Sequence, residues 1–103
     1  MTVHKRAVDL LGRIRPAQTP TTVLHYLYFE DGTQADACAI ELRRAGYSAE
    51  GGRAADEVSF LVVVREHAAP TPAYFATRRI TLSGIAQRHR GDYDGWEAAV
   101  DDE

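Results

Sequence analysis

The chain has 103 residues, 45% hydrophobic and 26% charged, with a formal charge of −3, totals that fit one globular domain with its own core and exclude whole-chain disorder. Its single cysteine, Cys38, excludes an intrachain disulfide and is simplest to place in a reducing compartment. No apolar run nears the ~20 residues a membrane span needs, and "MTVHKRAVDLLGRIRP" lacks the apolar stretch and cleavage site of a secretory signal, so a cytoplasmic location with no membrane partner is expected.

The elements follow from spacing. Val3, Ala7, Leu10, Leu11 and Ile14 recur at helical intervals opposite His4, Lys5, Arg6 and Arg13, which predicts a short amphipathic arm. "RPAQTP" ends it, because proline lacks an N–H and pushes its predecessor toward extended backbone. Residues 1–20 are therefore read as arm and linker, and residues 21–103 as the domain.

"TVLHYLYF", Thr22 to Phe29, is rich in β-branched and aromatic residues and apolar on both sides, as a central strand should be. The following helix is expected to start at a Thr33 cap with Asp36 three residues on, and to bury Ala35, Cys38, Ala39, Leu42 and Ala45. It should stop at Gly46, with Tyr47 folding back on Leu42. Next comes a hairpin. Gly51 and Gly52 weaken its first strand and fit an edge or a bulge, the turn falls around Ala55 to Glu57, and Ser59 to Arg65 is apolar enough for the sheet interior.

Thr71 and Pro72 mark the start of a second helix with inner face Phe75, Leu82, Ile85, Ala86 and His89, ending at Gly91; Ile80 falls off that stripe. "YDGWEAAV" supplies the last strand. The order β, α, β, β, α, β predicts an α+β, ferredoxin-like βαββαβ domain. Right-handed crossovers put two helices on one face of a four-stranded antiparallel sheet, with the N-terminal helical arm appended.

Few residues suggest chemistry. His4, His25, His67 and His89 lie on separate elements without ligand spacing, so no metal is expected. Cys38 sits on an apolar stripe and reads as a small hydrophobe. Glu30 and Asp31 precede a helix start, where carboxylates complement the dipole. Neither a glycine-rich phosphate loop nor a Gly-x-Ser-x-Gly elbow is present, so neither a cofactor nor an enzymatic activity is expected.

Tyr26 and Tyr28 share one side of the first strand and could stack bases on an open sheet face. Against this stand the acidic balance and a third strand without the basic-aromatic RNA-binding signature. Self-association through the open face or the arm is a third possibility.

The charge is uneven: all twelve Lys and Arg lie between Lys5 and Arg90, whereas "GDYDGWEAAVDDE" carries six acids and no base. Asp94 and Gly95 read as a turn that aims Tyr93 and Trp96 at different neighbours. Two readings stand. The aromatics are a packing staple, or they are an exposed anchor beside acid, as in interface hot spots.

"YDGW" after a helix, with an acidic continuation, resembles the end of the bacterial RraB family, regulators of ribonuclease E activity. "VLHYLYF", "AGY" and "FLVVV" extend the resemblance over about Thr22 to Val100. The chain differs in Glu97, where the family often has glycine, in a tail cut to "VDDE", and in a basic arm. The resemblance implies a ferredoxin-like, non-enzymatic inhibitor that binds the non-catalytic region of ribonuclease E and lowers RNA decay. The acidic end and its aromatics make Tyr93, Asp94, Gly95, Trp96, Glu97, Asp101, Asp102 and Glu103 the expected partner-binding residues, whose carboxylates, with Asp92, would meet an Arg-rich segment; the resemblance implies that this segment belongs to ribonuclease E.

Overall fold

A computed structural model describes residues 2–4 and 19–99. The elements are β1 (Thr2–His4), β2 (Thr21–Phe29), α1 (Gly32–Arg44), β3 (Ser48–Arg53), β4 (Phe60–Ala68), α2 (Pro72–Arg88) and β5 (Asp92–Ala99). The strands form one sheet, in the order β1-β5-β2-β4-β3, in which all neighbours run antiparallel. From β5 to β3 this is the ferredoxin-like arrangement, as the element order predicts. β2 and β4 take the interior, and glycine-bearing β3 takes an edge.

Thr2–His4 departs from the expected helix. It is a strand that pairs Thr2 with Ala99, Val3 with Ala98 and His4 with Glu97. Its partner lies at the opposite end of the chain, a non-local contact that local periodicity could not reveal. The rest of the expected arm helix falls outside the described residues.

Strict alternation in β2 divides the molecule. Val23, His25, Leu27 and Phe29 are buried under the helices, while Leu24, Tyr26 and Tyr28 lie half-buried on the opposite face. Leu27 and Phe29 join Ala35, Cys38, Ala39 and Leu42 of α1, Val62 and Val64 of β4, and Leu82, Ile85 and Ala86 of α2 in the main core. Burial, then Glu41, raises the Cys38 thiol to about 11, which keeps it neutral and in the role of a small apolar residue. Ile80 points outward at 75% exposure.

The helix ends differ from the expected caps at three positions. Asp31, not Thr33, caps α1, its Oδ1 accepting from the Thr33 N–H at 2.9 Å. Ala45, placed on the buried stripe by its spacing, is the exposed C-cap. Gly46 takes the left-handed conformation (φ 100°), and Tyr47 N donates to Leu42 O at 3.0 Å, as expected. Thr71 caps α2, with Pro72 in its first turn.

At the far end of α2 the left-handed residue is Arg90 (φ 63°), not Gly91. Arg90 N donates to Gln87 O at 3.1 Å and Gly91 N to Ala86 O at 2.8 Å. Gly91 is required for another reason: a Cβ there would stand 2.3 Å from the Phe29 ring.

Candidate partner-binding face

The Tyr-Asp-Gly-Trp tetrad lies inside β5. Trp96 pairs with His25, Gly95 with Tyr26 and Tyr93 with Leu27, so Asp94 is an extra residue and the register shifts there. Gly95 adopts φ 122°, where a side chain would be strained. The expected turn is thus a β-bulge. Without it, residues 93 and 96 would face opposite sides of the sheet. With it, both aromatics point under α2.

Trp96 is 7% exposed and stacks on Phe75, with centroids 3.6 Å apart and planes 12° apart. Val23 and Ala98 complete that cluster. Its indole is therefore a packing element and not an exposed anchor, which favours the staple reading of this residue.

Tyr93 leads to a group that composition did not single out. His25 is fully buried, yet both ring nitrogens have partners: Nδ1 lies 2.8 Å from Tyr93 Oη and Nε2 lies 2.8 Å from Tyr74 Oη. Tyr74 donates to Glu66 Oε1, which also accepts from Arg78 Nε at 2.8 Å. Burial pulls the Glu66 carboxyl upward, but hydrogen bonds from Arg78 and Tyr74 and the Arg78 charge outweigh it and hold the group below its usual range. Burial, then Glu66, pushes the Tyr74 phenol well above its ordinary value, and burial does the same to Tyr93.

Those directions orient the chain. A neutral Tyr74 gives its only proton to Glu66, so its oxygen accepts from Nε2–H. Nδ1 is then the acceptor for the Tyr93 hydroxyl. An imidazolium would require Tyr93 to turn its proton away and accept from Nδ1 instead. Burial first of all, and then Arg78, hold His25 down at about 4 against the upward pull of Glu66. Arg78 also lies over the rings of Tyr74 and Tyr47, 5.2 and 5.8 Å from their centroids. The relay joins β2, β4, β5 and α2, and its buried polar side chains are all satisfied.

Among the described residues, no element covers the opposite face of the sheet. Tyr26, Tyr28, Leu24, Leu61 and Val63 form its half-buried centre. Tyr26 donates to Glu97 Oε1 at 2.6 Å, and burial together with that bond raises the phenol to about 12. Tyr28 meets Ser59 Oγ, and Ser59 is held by Asp56 through both its amide and its hydroxyl. Asp92 lies across from Tyr28 and Glu97 across from Leu24.

The two candidate sets from the sequence therefore meet: Tyr26 and Tyr28 share this face with the β5 acids Asp92 and Glu97, beside exposed Asp94 at the bulge, while Tyr93 and Trp96 of the same strand point inward. Asp101, Asp102 and Glu103 lie outside the described residues. Sequence reasoning passed over His25, Glu66, Tyr74 and Arg78 as a unit. One signal was available: His25 is the polar member of the inward set Val23, Leu27 and Phe29.

A family model described as "Regulator of ribonuclease activity B" matches residues 15–98. The chain belongs to the RraB family. A search of curated proteins finds no match. The matched span holds the whole tetrad and every residue of the relay, and it assigns this RraB domain to a family of regulators of ribonuclease activity. Among the described residues of the RraB domain, no three His, Cys, Asp or Glu side chains converge on a metal-binding geometry, and no helix is long and apolar enough to cross a membrane.

Proposed function

We propose that this chain is a non-enzymatic cytoplasmic regulator that holds an Arg-rich segment of ribonuclease E, in its non-catalytic region, against the open sheet face. Occupying that region lowers RNA decay. The observation that carries the reading is the acidic border of the tyrosine patch, formed by Asp92, Asp94 and Glu97, within a chain of the regulator family. In the sequence three further acids, Asp101, Asp102 and Glu103, follow β5. Tyr26 and Tyr28 give flat surface on which guanidinium groups stack. Carboxylates beside those rings repel a phosphate backbone, which weighs against RNA as the ligand.

The test is a titration of the full chain with an Arg-rich peptide from the non-catalytic region of ribonuclease E. Replacing Asp92, Asp94 and Glu97 together by Ala removes three rim charges worth ~0.5 kcal/mol each, or about a tenfold loss of affinity at low salt that shrinks as salt rises. Full affinity for that triple variant at low salt refutes the acidic face. Tight, steeply salt-dependent binding of single-stranded RNA with tyrosine quenching refutes the protein-partner reading.

A further inference from the structure

Gly51 and Gly52 sit in mid-strand in β3, where glycine weakens a strand through backbone entropy. Neither has a positive φ, the β3–β4 register is unbroken, a Cβ on Gly52 would meet nothing, and one on Gly51 would make ordinary contacts. Nothing among the described residues requires them. Paired glycines on a sheet edge are suited to the close approach of another backbone.

The ladder shows which groups are available. Ala54 N donates to Ser59 O at 2.9 Å, so the alternation makes Gly52–Leu61 and Glu50–Val63 hydrogen-bonded pairs. Ala49, Gly51 and Arg53 consequently direct their N–H and C=O groups away from β4. Ala49 O is already taken by Arg43 Nε at 2.8 Å, which leaves Gly51 and Arg53.

We propose that the β3 edge pairs antiparallel with the β3 edge of a second copy, with Gly52 at the two-fold axis. In this register Gly51 faces Arg53 of the second copy and Arg53 faces its Gly51, giving four backbone hydrogen bonds and leaving the Arg43 bond intact. Charge selects a second copy as the occupant. Arg53 lies on the helix-covered side of β3, held over the Phe60 ring at 5.4 Å. Directly across, the space above Gly51 of the second copy is bordered by Asp36, whose Oδ1 would be 3.9 Å from a Cβ at that glycine. Two symmetric Arg53–Asp36 pairs follow, Glu50 faces Ala54, and no like charges stand directly opposite; the two Arg53 residues are diagonal neighbours across the axis, each beside Asp36 of the other copy. The result is one continuous sheet through both copies, with both open faces on the same side.

Sedimentation velocity of the full chain from about 10 µM to 1 mM tests this. The unmodified chain is expected to dimerise with rising concentration. Gly51→Pro removes an outward N–H that makes no bond among the described residues, and is expected to weaken the dimer about tenfold or more. Arg53→Glu should also weaken it, and Asp36→Arg combined with Arg53→Glu should restore it, a reciprocity that a folding defect would not produce. A monomer throughout the range, a dimer indifferent to Gly51→Pro, or a double variant no better than Arg53→Glu overturns the proposal. Should Gly51→Pro fail to fold, the charge exchange decides alone.

Discussion

Acidifying the solution protonates His25 in the unfolded chain well before the folded one, because burial holds the native imidazole at about 4 against an ordinary 6.5. Above 6.5 both states are neutral and the native relay contributes in full. As the pH falls below 6.5 the unfolded state binds a proton that the native state refuses, so stability drops by up to ~1.4 kcal/mol per pH unit. The loss levels off near 4, where the native ring also protonates. Across that window it amounts to about 3 kcal/mol, a large share of the ~5–15 kcal/mol typical of a domain.

The groups facing the ring are Tyr93 from β5, Tyr74 from α2 and Glu66 from β4, with Arg78 beyond. Glu66, held below its ordinary 4.5, contributes stability that is lost only as the pH falls through its lowered value, and so mostly beneath the His25 window. Urea unfolding followed by the fluorescence of the buried Trp96 at half-unit pH steps measures the slope. His25→Gln keeps amide donors and an acceptor but cannot titrate, so its stability should be nearly flat from 6.5 to 4.5. A flat profile in the unmodified chain, or an undiminished slope in His25→Gln, refutes the account of a neutral, doubly bonded histidine.

Further outcomes follow from packing and backbone geometry. Trp96→Ala removes the stack on Phe75 and should cost about 3–5 kcal/mol, read as loss of the cooperative thermal transition or a large fall in Tm. Gly91→Ala drives a methyl into the Phe29 ring and should cost on the order of 1–3 kcal/mol by chemical denaturation, although the substitution looks conservative. Arg90→Gly relieves the left-handed strain at φ 63° and should stabilise the domain by roughly 0.5–1 kcal/mol after the added freedom of the unfolded chain, seen as a rise in Tm of a few degrees.

How legible the molecule was depends on how local each cause is. The alternation of β2 disclosed both faces of the sheet, and Gly46 with Tyr47 disclosed a helix end, because side chains and caps within a few residues decide those features. Asp31 displaced Thr33 as a cap because both are good acceptors two positions apart, and the backbone path chose between them. Gly91 was expected only to end the second helix, yet the ring of Phe29, from another strand, is what forbids a side chain there. The β1 pairing and the His25 relay depend on partners from distant parts of the chain, so neither periodicity nor spacing could assemble them. Asp94 and Gly95 have turn composition, and only the partner register shows a strand carrying one residue too many.

That surplus residue sets the phase of β5. Deleting Asp94 would swing either the phenol or the indole out from beneath α2, and filling Gly95 with a side chain would resist the bend that accommodates it. The Tyr-Asp-Gly-Trp signature is therefore a scaffold mark, announcing two rings lodged on one side of the sheet. Divergence in what relatives grip should be sought in Asp92, Asp94 and Glu97, whose side chains can change while the frame stays.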